Sequence, residues 1–423
     1  MPLSIQIPDA AGALHTYALS GEPHAPLFSA IATLPGHSAP ATAGAFNRIA
    51  YSAAHVVADP RAAIDPWLQC AVDWDATIAY RQHLWSLGLG VAEAMDTAQR
   101  GMGLDWPTSL ELIGRSLDAA KDFQGDGRRA LVASGCGTDH LVLEEVKSLD
   151  DVIRGYETQM EAIEKLGGKL IVMASRALAR VAKSPADYER VYDRILSQAK
   201  QPVVLHWLGD MFDPALNGYW GTADVDQAMN TALGIINAHP AKVDGIKISL
   251  LDKDKEIAMR QRLPTTGGLN GQGVRMYTGD DFNYAELIAG DGYKSDASGS
   301  SKVQGQSDAL LGIFDAIAPL ASAALGELAE GNLDKFHAIL GPTVPLSRHI
   351  FAAPTRFYKT GVVFMAWLNG HQSHFTMVGG QQSTRSLVHL SELFRLADAA
   401  NALQQPALAV QRMKTLCAVH GVD

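Results

Sequence analysis

Short apolar runs alternate with amphipathic stretches of helical length along most of the chain. Eight of the apolar runs have the length of buried strands and are bounded by turn-forming residues. These runs are 48–57, 90–99, 128–135, 168–175, 202–212, 243–252, 274–282 and 307–316. The helical stretches between them are 74–87, 107–121, 148–166, a stretch that begins at Ser184, 222–238, 253–262 and 284–289. Eight strands alternating with helices over roughly 270 residues predict an α/β fold, a (β/α)8 TIM barrel.

The two ends of the chain have other patterns. Within residues 1–46, two alternating runs around a glycine-containing turn predict an N-terminal hairpin, followed by a connecting arm. The barrel would then occupy 47–318, and 319–423 is helical throughout, so extra C-terminal helices follow it. Segment 290–305 is rich in Gly, Ser, Asp and Lys and predicts a mobile, dispensable surface loop at the barrel end opposite the active site.

The composition and net charge of the chain restrict the classes of function that we expect. Of the 423 residues, 47% are apolar and 19% are charged, as in ordinary globular proteins. A formal net charge of -10 without a basic block predicts that neither nucleic acid nor a membrane is a partner. Cys70, Cys136 and Cys417 lie too far apart to suggest disulfides or a cysteine zinc site. With no signal-like N-terminus and no apolar stretch of membrane-spanning length, we expect a cytoplasmic enzyme for a small molecule.

The run 243–252 carries a lysine at its centre. Ile246 and Ile248 flank Lys247, so the period of two along a strand puts Lys247 on the opposite face, together with Gly245 and Ser249. An ammonium buried there is costly to desolvate, which lowers the pKa and makes the neutral amine easier to reach. A neutral amine attacks carbonyl carbon. The pattern leaves equally open a structural lysine that is paired with a neighbouring carboxylate.

In a TIM barrel the active site lies at the carboxyl ends of the strands. Polar residues at these ends are His55, Asp96, Thr97, Ser134, Cys136, Ser175, Arg176, His206, Lys247, Ser249, Asp280, Asp281 and Asp315. The strand with His206 directly precedes the lysine strand, which favours a catalytic over a structural histidine. The segment 279–281 is typical both of a substrate contact and of a turn with a helix cap.

Several strings occur in the order typical of one family. VDGIKISLLD (243–252) resembles the Gly-Ile-Lys strand of the dihydrodipicolinate synthase / N-acetylneuraminate lyase superfamily, with Lys247 at its Schiff-base lysine. PVVLHW (202–207) resembles its fifth strand, and VRMYTGDDF (274–282) its seventh, with Gly279 and Asp280 at the glycine-aspartate pair. EKLGGKLIVMAS with SPADYERVYDRIL, and PTRFYKTGVVFMAWLNG, resemble its fourth βα unit and its C-terminal helical segment. The resemblance covers roughly 48–403 and implies a dihydrodipicolinate-synthase-like, class I aldolase-type lyase with no cofactor beyond the lysine imine.

The chain departs from the family pattern around the substrate. The proton-relaying tyrosine of the family falls at His206, which can also relay protons. The family loop that holds the carboxylate of a 2-oxo acid falls at 96–100, where only Thr97 is retained. The arginine that follows the tyrosine falls near Met211. We therefore expect a substrate other than a 2-oxo acid held in the family's manner.

These observations predict an enzyme that forms an imine between Lys247 and a small carbonyl substrate, then makes or breaks a C–C bond or eliminates water. His206 would move protons and Thr97 would orient them. The predicted substrate-binding residues are Asp96, Arg100, Arg176, Ser249, Gly279, Asp280 and Asp281. Arg100 or Arg176 would contact an anionic group, and Asp96 with Glu93 favours a hydroxyl-rich keto sugar or sugar acid.

Two other functions stay open. A divalent-metal lyase or isomerase would use mixed N/O ligands that suit Zn, Mn or Mg, namely His206, Asp96, Glu93 and Asp280. A barrel that has lost catalysis would serve as a binding protein. The resemblance also implies a homodimer or homotetramer, and the apolar run 361–368 adds a surface that something must cover.

Overall fold

The computed structural model describes residues 3–20, 46–123, 130–290 and 305–422. Most of the predicted connecting arm and of the predicted loop 290–305 lies outside these residues, so the prediction of a mobile, dispensable loop stays a prediction. The N-terminal hairpin is present. Its antiparallel strands are β1 (Ser4–Pro8) and β2 (Leu14–Ala18).

Eight parallel strands close into a barrel in the order β10-β3-β4-β5-β6-β7-β8-β9. They are β3 (Ala50–Ala53), β4 (Gly90–Glu93), β5 (Val132–Cys136), β6 (Lys169–Val172), β7 (Val203–Leu208), β8 (Val243–Ser249), β9 (Arg275–Thr278) and β10 (Asp308–Leu311). Each predicted run coincides with one strand, although β5 extends one residue beyond its run, to Cys136, and this agreement confirms the TIM barrel. The runs are longer than the strands because buried apolar residues continue into the loops that follow them.

Helices alternate with the strands. The ones that lie between barrel strands are α1 (Trp74–Ser86), α2 (Trp106–Asp122), α3 (Leu149–Lys165), α4 (Arg176–Val181), α5 (Pro185–Gln198), α6 (Val225–Ala238), α7 (Lys253–Arg260) and α8 (Tyr284–Ala289). Ser148 and Ser184 open α3 and α5 in capping boxes, as the sequence predicts. The short helix α4 has no counterpart in the sequence prediction, which gave its residues to a connection.

After β10 the chain is helical. The helices are α9 (Ile313–Ala316), α10 (Ala318–Ala329), α11 (Leu333–Leu340), α12 (Thr343–Ile350), α13 (Tyr358–Leu368), α14 (Leu387–Ala399) and α15 (Pro406–Val419). The predicted eighth run therefore continues into α9 instead of remaining a strand. Every residue of α13 is buried within the chain itself. The apolar run 361–368 thus needs no partner subunit, and the predicted homo-oligomer loses that argument and rests on the family resemblance.

The hairpin packs against the last two helices. The Tyr17 hydroxyl donates to Asp398 Oδ2 on α14 at 2.7 Å, and Arg395 donates to the Pro8 carbonyl at 2.7 Å. The two ends of the chain therefore belong to one packed unit. No helix among the described residues is both long and apolar enough to cross a membrane.

Side chains divide between two cores according to strand alternation. One lies inside the barrel and includes Tyr51, Ala92 and Tyr277, and the other lies between strands and helices and includes Ile246 and Ile248. Lys247, between the two isoleucines, therefore faces the barrel interior, as the alternation predicts.

The amino-terminal end of the barrel is held by paired charges. Lys169 Nζ lies 2.7 Å from Asp244 Oδ2, which also accepts the Tyr277 hydroxyl at 2.8 Å. Arg275 pairs with Asp308 at 3.1 Å. Residues at this end of a barrel stabilise the fold, and catalytic groups lie at the other end.

A second buried ion pair joins the barrel wall to its helices. Arg81 on α1 makes a bidentate contact to Glu93 on β4, with distances of 2.9 and 2.8 Å, and both side chains are fully buried. Glu93 also accepts the Ser116 hydroxyl of α2. One carboxylate therefore connects β4 with two helices.

Removing one partner of this pair should destabilise the fold. Glu93→Leu leaves the Arg81 guanidinium buried without a counter-ion, so we expect a loss of about 3–5 kcal/mol in the free energy of unfolding, measured by urea denaturation. The double variant Arg81→Met/Glu93→Leu should recover most of this loss. A Glu93→Leu protein within about 1 kcal/mol of the wild type would contradict the assignment.

Candidate active site

A cavity of about 280 Å³ lies among the loops that follow β4 to β7, at the carboxyl ends of the strands. Its lining includes Asp96, Arg100, Gly137, Thr138, Asp139, Met173, Arg176, His206, Leu208, Asp213 and Leu216. His206 connects this cavity to the lysine strand, because His206 on β7 and Lys247 on β8 are register partners. The cavity therefore lies where barrel enzymes carry their active sites.

Lys247 is buried, with 6% of its surface exposed. Its Nζ makes no hydrogen bond or ion pair with another described residue, in contrast to Lys169 at the other end of the barrel. Burial lowers the pKa of Lys247, while the charges of Asp281 and Asp96 oppose that change. The alternative of a lysine paired with a neighbouring carboxylate is therefore wrong for the described residues.

Gly279 gives Lys247 its space. A Cβ at this position would lie 2.3 Å from Ser249 Oγ and 2.7 Å from Lys247 Cε. These distances are shorter than any van der Waals contact, so a larger residue would displace the lysine stem or the serine. Glycine is required here because the position packs closely against the lysine stem, the serine and the backbone carbonyl of Ile248, which a Cβ would approach to 2.6 Å.

Among the carboxylates, Asp281 has the largest effect on the pKa of Lys247. It is 3% exposed, and its Oδ1 accepts the Ile313 N–H at 2.9 Å. Burial raises the pKa of Asp281 to about 7, against the lowering effect of the Lys247 charge. A carboxyl with this pKa exchanges protons at neutral pH.

His206 is neutral in this environment. Burial lowers the pKa of His206 well below its ordinary value, and the charge of Lys247 lowers it further. Its Nε2 lies 3.4 Å from Ser249 Oγ. A neutral imidazole can pass a hydrogen bond between cavity and lysine, but it is a weak base, which makes Asp281 the better proton acceptor.

Thr97 is bound to a tyrosine that the sequence reasoning missed. Thr97 Oγ1 lies 2.8 Å from the hydroxyl of Tyr358, the first residue of α13. The Tyr358 ring is buried and stacks on Phe351 with ring centroids 4.3 Å apart. Burial raises the pKa of Tyr358 well above its ordinary value, and Asp96 raises it further. Tyr358 belongs to the string PTRFYKTG that carries the family resemblance, but local sequence alone does not indicate that this helix reaches Thr97.

The two predicted anion-binding arginines differ. Arg100 lines the cavity, yet its guanidinium donates to Asp139 at 3.1 and 2.7 Å and to Gln159, and it also reaches two backbone carbonyls. The predicted substrate contact of Arg100 is therefore replaced by a structural role. Arg176 is partly exposed and pairs with Asp213 through Nε, which leaves its terminal nitrogens for a ligand.

Two predicted acidic contacts are used elsewhere. Asp280 accepts the N–H groups of Phe282 and Asn283 at 2.8 and 3.0 Å, and its second oxygen accepts the Asn283 side chain at 2.9 Å. The interpretation of this segment as turn and cap is thus the better one for Asp280. Glu93 faces away from the cavity in its pair with Arg81, which corrects its predicted contact with substrate hydroxyls. Among the described residues no three His, Cys, Asp or Glu side chains are arranged to hold a metal ion.

His55 and Asp315, which also lie at strand ends, form a pair of their own. His55 Nδ1 lies 2.8 Å from Asp315 Oδ2, and both side chains are fully buried. Ser134, Ser175 and Cys136 are buried as well, and Ser175 caps α4 by accepting the Leu178 N–H at 2.9 Å. The structure therefore brings together Lys247, Asp281, His206, Ser249, Gly279, Thr97 and Asp96 as the candidate site.

The chain is similar to known proteins in sequence and in fold. The sequence model of the family DUF993, described as a protein of unknown function, matches residues 5–422. No curated protein matches the sequence. The fold is similar to that of dihydrodipicolinate synthase from Aquifex aeolicus, at 12% identity and a TM-score of 0.59, over 85% of this chain and 99% of that one.

Two further solved structures are similar to this chain in fold. 4-Hydroxy-tetrahydrodipicolinate synthase from Methylacidiphilum fumariolicum SolV is 13% identical, with a TM-score of 0.58, over 86% of this chain and 99% of that one. Dihydrodipicolinate synthase from Cyanidioschyzon merolae, solved with lysine bound, is 14% identical, with a TM-score of 0.57, over 84% and 98%. These similarities confirm the predicted resemblance at the level of the fold.

The packing at Gly279 generates a first test of the site. Gly279→Ala should displace the Lys247 stem, so we expect the reaction of Lys247 with carbonyl compounds to fall by about tenfold or more, with a loss of about 1–3 kcal/mol in stability. The matched control is Gly114→Ala on α2, where a Cβ would meet only Leu166 at 3.8 Å. The control should keep full reactivity and gain up to about 1 kcal/mol. Equal reactivity of both variants would contradict the proposed close packing.

The raised pKa of Asp281 predicts a pH-dependent stability. As pH rises from 4 to 7, the unfolded chain loses the Asp281 proton first, because the folded pKa of about 7 lies above the ordinary 3.8. Asp281→Asn removes this titration and keeps an acceptor for the Ile313 N–H. We expect the variant to become more stable relative to the wild type as pH rises from about 4 to about 7, by at most about 4 kcal/mol in the free energy of unfolding, measured by urea denaturation. A difference that does not change with pH would contradict the burial of an ionisable Asp281.

Proposed function

Because the chain belongs to the family DUF993 and has the fold of the dihydrodipicolinate synthases, we propose that it is a lyase of the class I aldolase type that forms an imine on Lys247. One observation carries the proposal. The amine of Lys247 is buried at the carboxyl end of β8 and has no ion-pair partner among the described residues. Desolvation without compensation by a counter-ion is the condition under which a lysine becomes a nucleophile.

The reaction begins with the neutral amine. Lys247 Nζ attacks the carbonyl carbon of the substrate, and the carbinolamine loses its oxygen as water to give a protonated imine. In C–C cleavage the imine accepts the electron pair of the Cα–Cβ bond, while the β-hydroxyl loses its proton and becomes the carbonyl of the aldehyde that leaves; the remaining enamine is then protonated at carbon. In dehydration the imine accepts the electron pair of an α C–H bond as a base takes that proton, and the enamine expels the β-hydroxyl, which is protonated and leaves as water. Addition of water to the imine that results from either route releases the product and restores the amine.

Asp281 is the residue best suited to carry protons in these steps. Its pKa of about 7 lets it take a proton from the lysine ammonium and return it to the departing hydroxyl near neutral pH. His206 Nε2 and Ser249 Oγ, 3.4 Å apart, are polar groups between the lysine strand and the cavity, and His206 lines that cavity. The Thr97 and Tyr358 hydroxyls form a second path beside Asp96.

The cavity favours a small substrate. Its volume of about 280 Å³ is near the lower limit of ordinary ligand sites. The Asp96 side chain lines the cavity and its carboxylate has no hydrogen-bond partner among the described residues, so it is free to accept substrate hydroxyl groups. A keto sugar or sugar acid therefore fits the site in its chemistry.

The two alternatives receive less support. Two of the four side chains predicted as metal ligands, Glu93 and Asp280, are engaged in the ion pair and in the turn described above. A barrel without catalysis does not require an unpaired buried amine, which costs folding free energy. Assembly as a homodimer or homotetramer is part of the same proposal and follows from the family resemblance, and a location in the cytoplasm is proposed with it.

Borohydride trapping tests the proposal. With a panel of keto acids and keto sugars, the wild type should gain the mass of a reduced adduct on the peptide that contains Lys247, read by mass spectrometry, and Lys247→Met should gain none. Loss of activity in this variant should reach several orders of magnitude, because no other group replaces the covalent step.

The control is Lys169→Met, which removes a partly buried, ion-paired lysine at the opposite end of the barrel. It breaks the pair with Asp244 and should lower stability by about 3–5 kcal/mol, yet the adduct should still form on Lys247. An adduct that maps to another lysine, or activity retained in Lys247→Arg, would overturn the imine mechanism.

A further inference from the structure

The short helix α9 contacts two parts of the candidate site. Its first residue, Ile313, donates its backbone N–H to Asp281 Oδ1 at 2.9 Å. The residue before it, Gly312, packs on the other part, because a Cβ built there would lie 3.1 Å from Tyr358 Cε2 and 3.5 Å from Thr97 Oγ1. The position of α9 therefore determines both the hydrogen bond to Asp281 and the packing against the two hydroxyl-bearing residues.

A helix of four residues is not stable by itself, so contacts with other elements must hold α9 in place. Its polar contacts come from Asp315. His55 Nδ1 donates to both carboxylate oxygens of Asp315, at 3.0 and 2.8 Å, and the His55 backbone N–H donates to Oδ2 at 2.7 Å. The Asp315 carbonyl accepts the Tyr80 hydroxyl at 2.6 Å. These bonds connect α9 to the residues that follow β3 and to α1.

His55 acts through this pair and not on a substrate. Its side chain is fully buried and is not among the described residues that line the cavity. Its Nε2 has no hydrogen-bond partner among the described residues, and its ring lies 4.5 Å from the Tyr80 ring between centroids. All the described hydrogen bonds of the imidazole therefore go to Asp315, and the imidazole affects the site only through α9.

We propose that His55 and Asp315 are positioning residues of the candidate site. Their hydrogen bonds hold α9 where the Ile313 N–H reaches the Asp281 carboxylate. The inference rests on the proposed function for the role of Asp281 as proton carrier. A proton carrier needs a constant affinity for its proton, which a fixed hydrogen-bond donor supplies. The first strand and the first helix of the barrel would thereby influence proton transfer at the lysine.

The effect of losing this hydrogen bond has a definite direction. The Ile313 N–H favours the ionised form of Asp281 and lowers its pKa, against the effect of burial. The other ionisable groups that interact with this carboxyl include Lys247, Asp280, Tyr284 and Tyr358. None of these side chains is on α9, so the loss of the Ile313 N–H is the main change when α9 moves. Displacement of α9 should therefore raise the pKa of Asp281 above its wild-type value of about 7.

The titration of the Asp281 carboxyl measures this effect without any substrate. It is followed by 13C NMR of protein with labelled aspartate, and the Asp281 signal is identified by its absence in Asp281→Asn. His55→Leu removes the side-chain donor to Asp315, and we expect the Asp281 midpoint to rise by about one pH unit. His55→Asn keeps a side-chain N–H at the place of Nδ1 and should return the midpoint to that of the wild type.

Reductive trapping connects the titration to the reaction. The rate of adduct formation on Lys247 with dihydroxyacetone and cyanoborohydride is measured against pH. Its pH dependence should move to higher pH in His55→Leu by the same amount as the Asp281 midpoint, and it should stay in place in His55→Asn. The control is Lys169→Met, which loses an ion pair at the opposite end of the barrel. It should lower the melting temperature and shift neither quantity, as expected of a change in stability alone.

The outcomes separate this inference from the imine mechanism. A raised Asp281 midpoint in His55→Leu, without any adduct in the wild type, would support the positioning pair and count against the imine. Adducts together with an unchanged or lowered midpoint would overturn the positioning pair and leave the imine intact. If His55→Leu does not fold, Tyr80→Phe removes only the hydroxyl bonded to the Asp315 carbonyl and decides by the same titration. A raised midpoint in that variant supports the proposal, and any other result overturns it.

Discussion

A buried amine without a counter-ion is the constraint on which the site depends. Lys247 loses most of its hydration in β8, and the described structure gives it no carboxylate within ion-pair distance. The residues around Lys247 leave space for its side chain and place little negative charge beside its amine. Gly279 leaves room for the lysine stem, and Asp281, itself buried, holds its proton up to about pH 7. Each of these groups is understood only by reference to the amine.

The barrel separates two kinds of buried charge by position. At the amino-terminal end, Lys169, Asp244, Arg275 and Asp308 are joined at distances between 2.7 and 3.1 Å. At the carboxyl end, Arg100 and Arg176 are paired with Asp139 and Asp213, whereas Lys247 and Asp96 have no ion-pair partner among the described residues. Paired charges fix strands in register, whereas unpaired ones remain available to a ligand. The same closed sheet thus carries a network of ion pairs at its amino-terminal end and the candidate site at its carboxyl end.

The barrel could be predicted from the sequence because eight apolar runs alternate with helical stretches. The side of the strand on which Lys247 lies could also be predicted, because side chains alternate strictly between the two faces of a strand. The same alternation places Glu93 on the face opposite Ala92, toward the helices, so the error about Glu93 could have been avoided. Two contacts could not be predicted from the sequence: the ion pair of Arg100 with Asp139 and the hydrogen bond between Tyr358 and Thr97. These contacts join residues 39 and 261 positions apart, and no local pattern records them.

The position of α13 in the sequence determines when the candidate site is completed during synthesis. The strands of the barrel are complete at Leu311, whereas Tyr358 emerges later. A chain that ends after α12 would contain every barrel strand and Lys247 but would lack the Tyr358 hydroxyl that contacts Thr97. The candidate site is therefore complete only after α13, more than forty residues beyond the last barrel strand, has been synthesised and packed against the barrel.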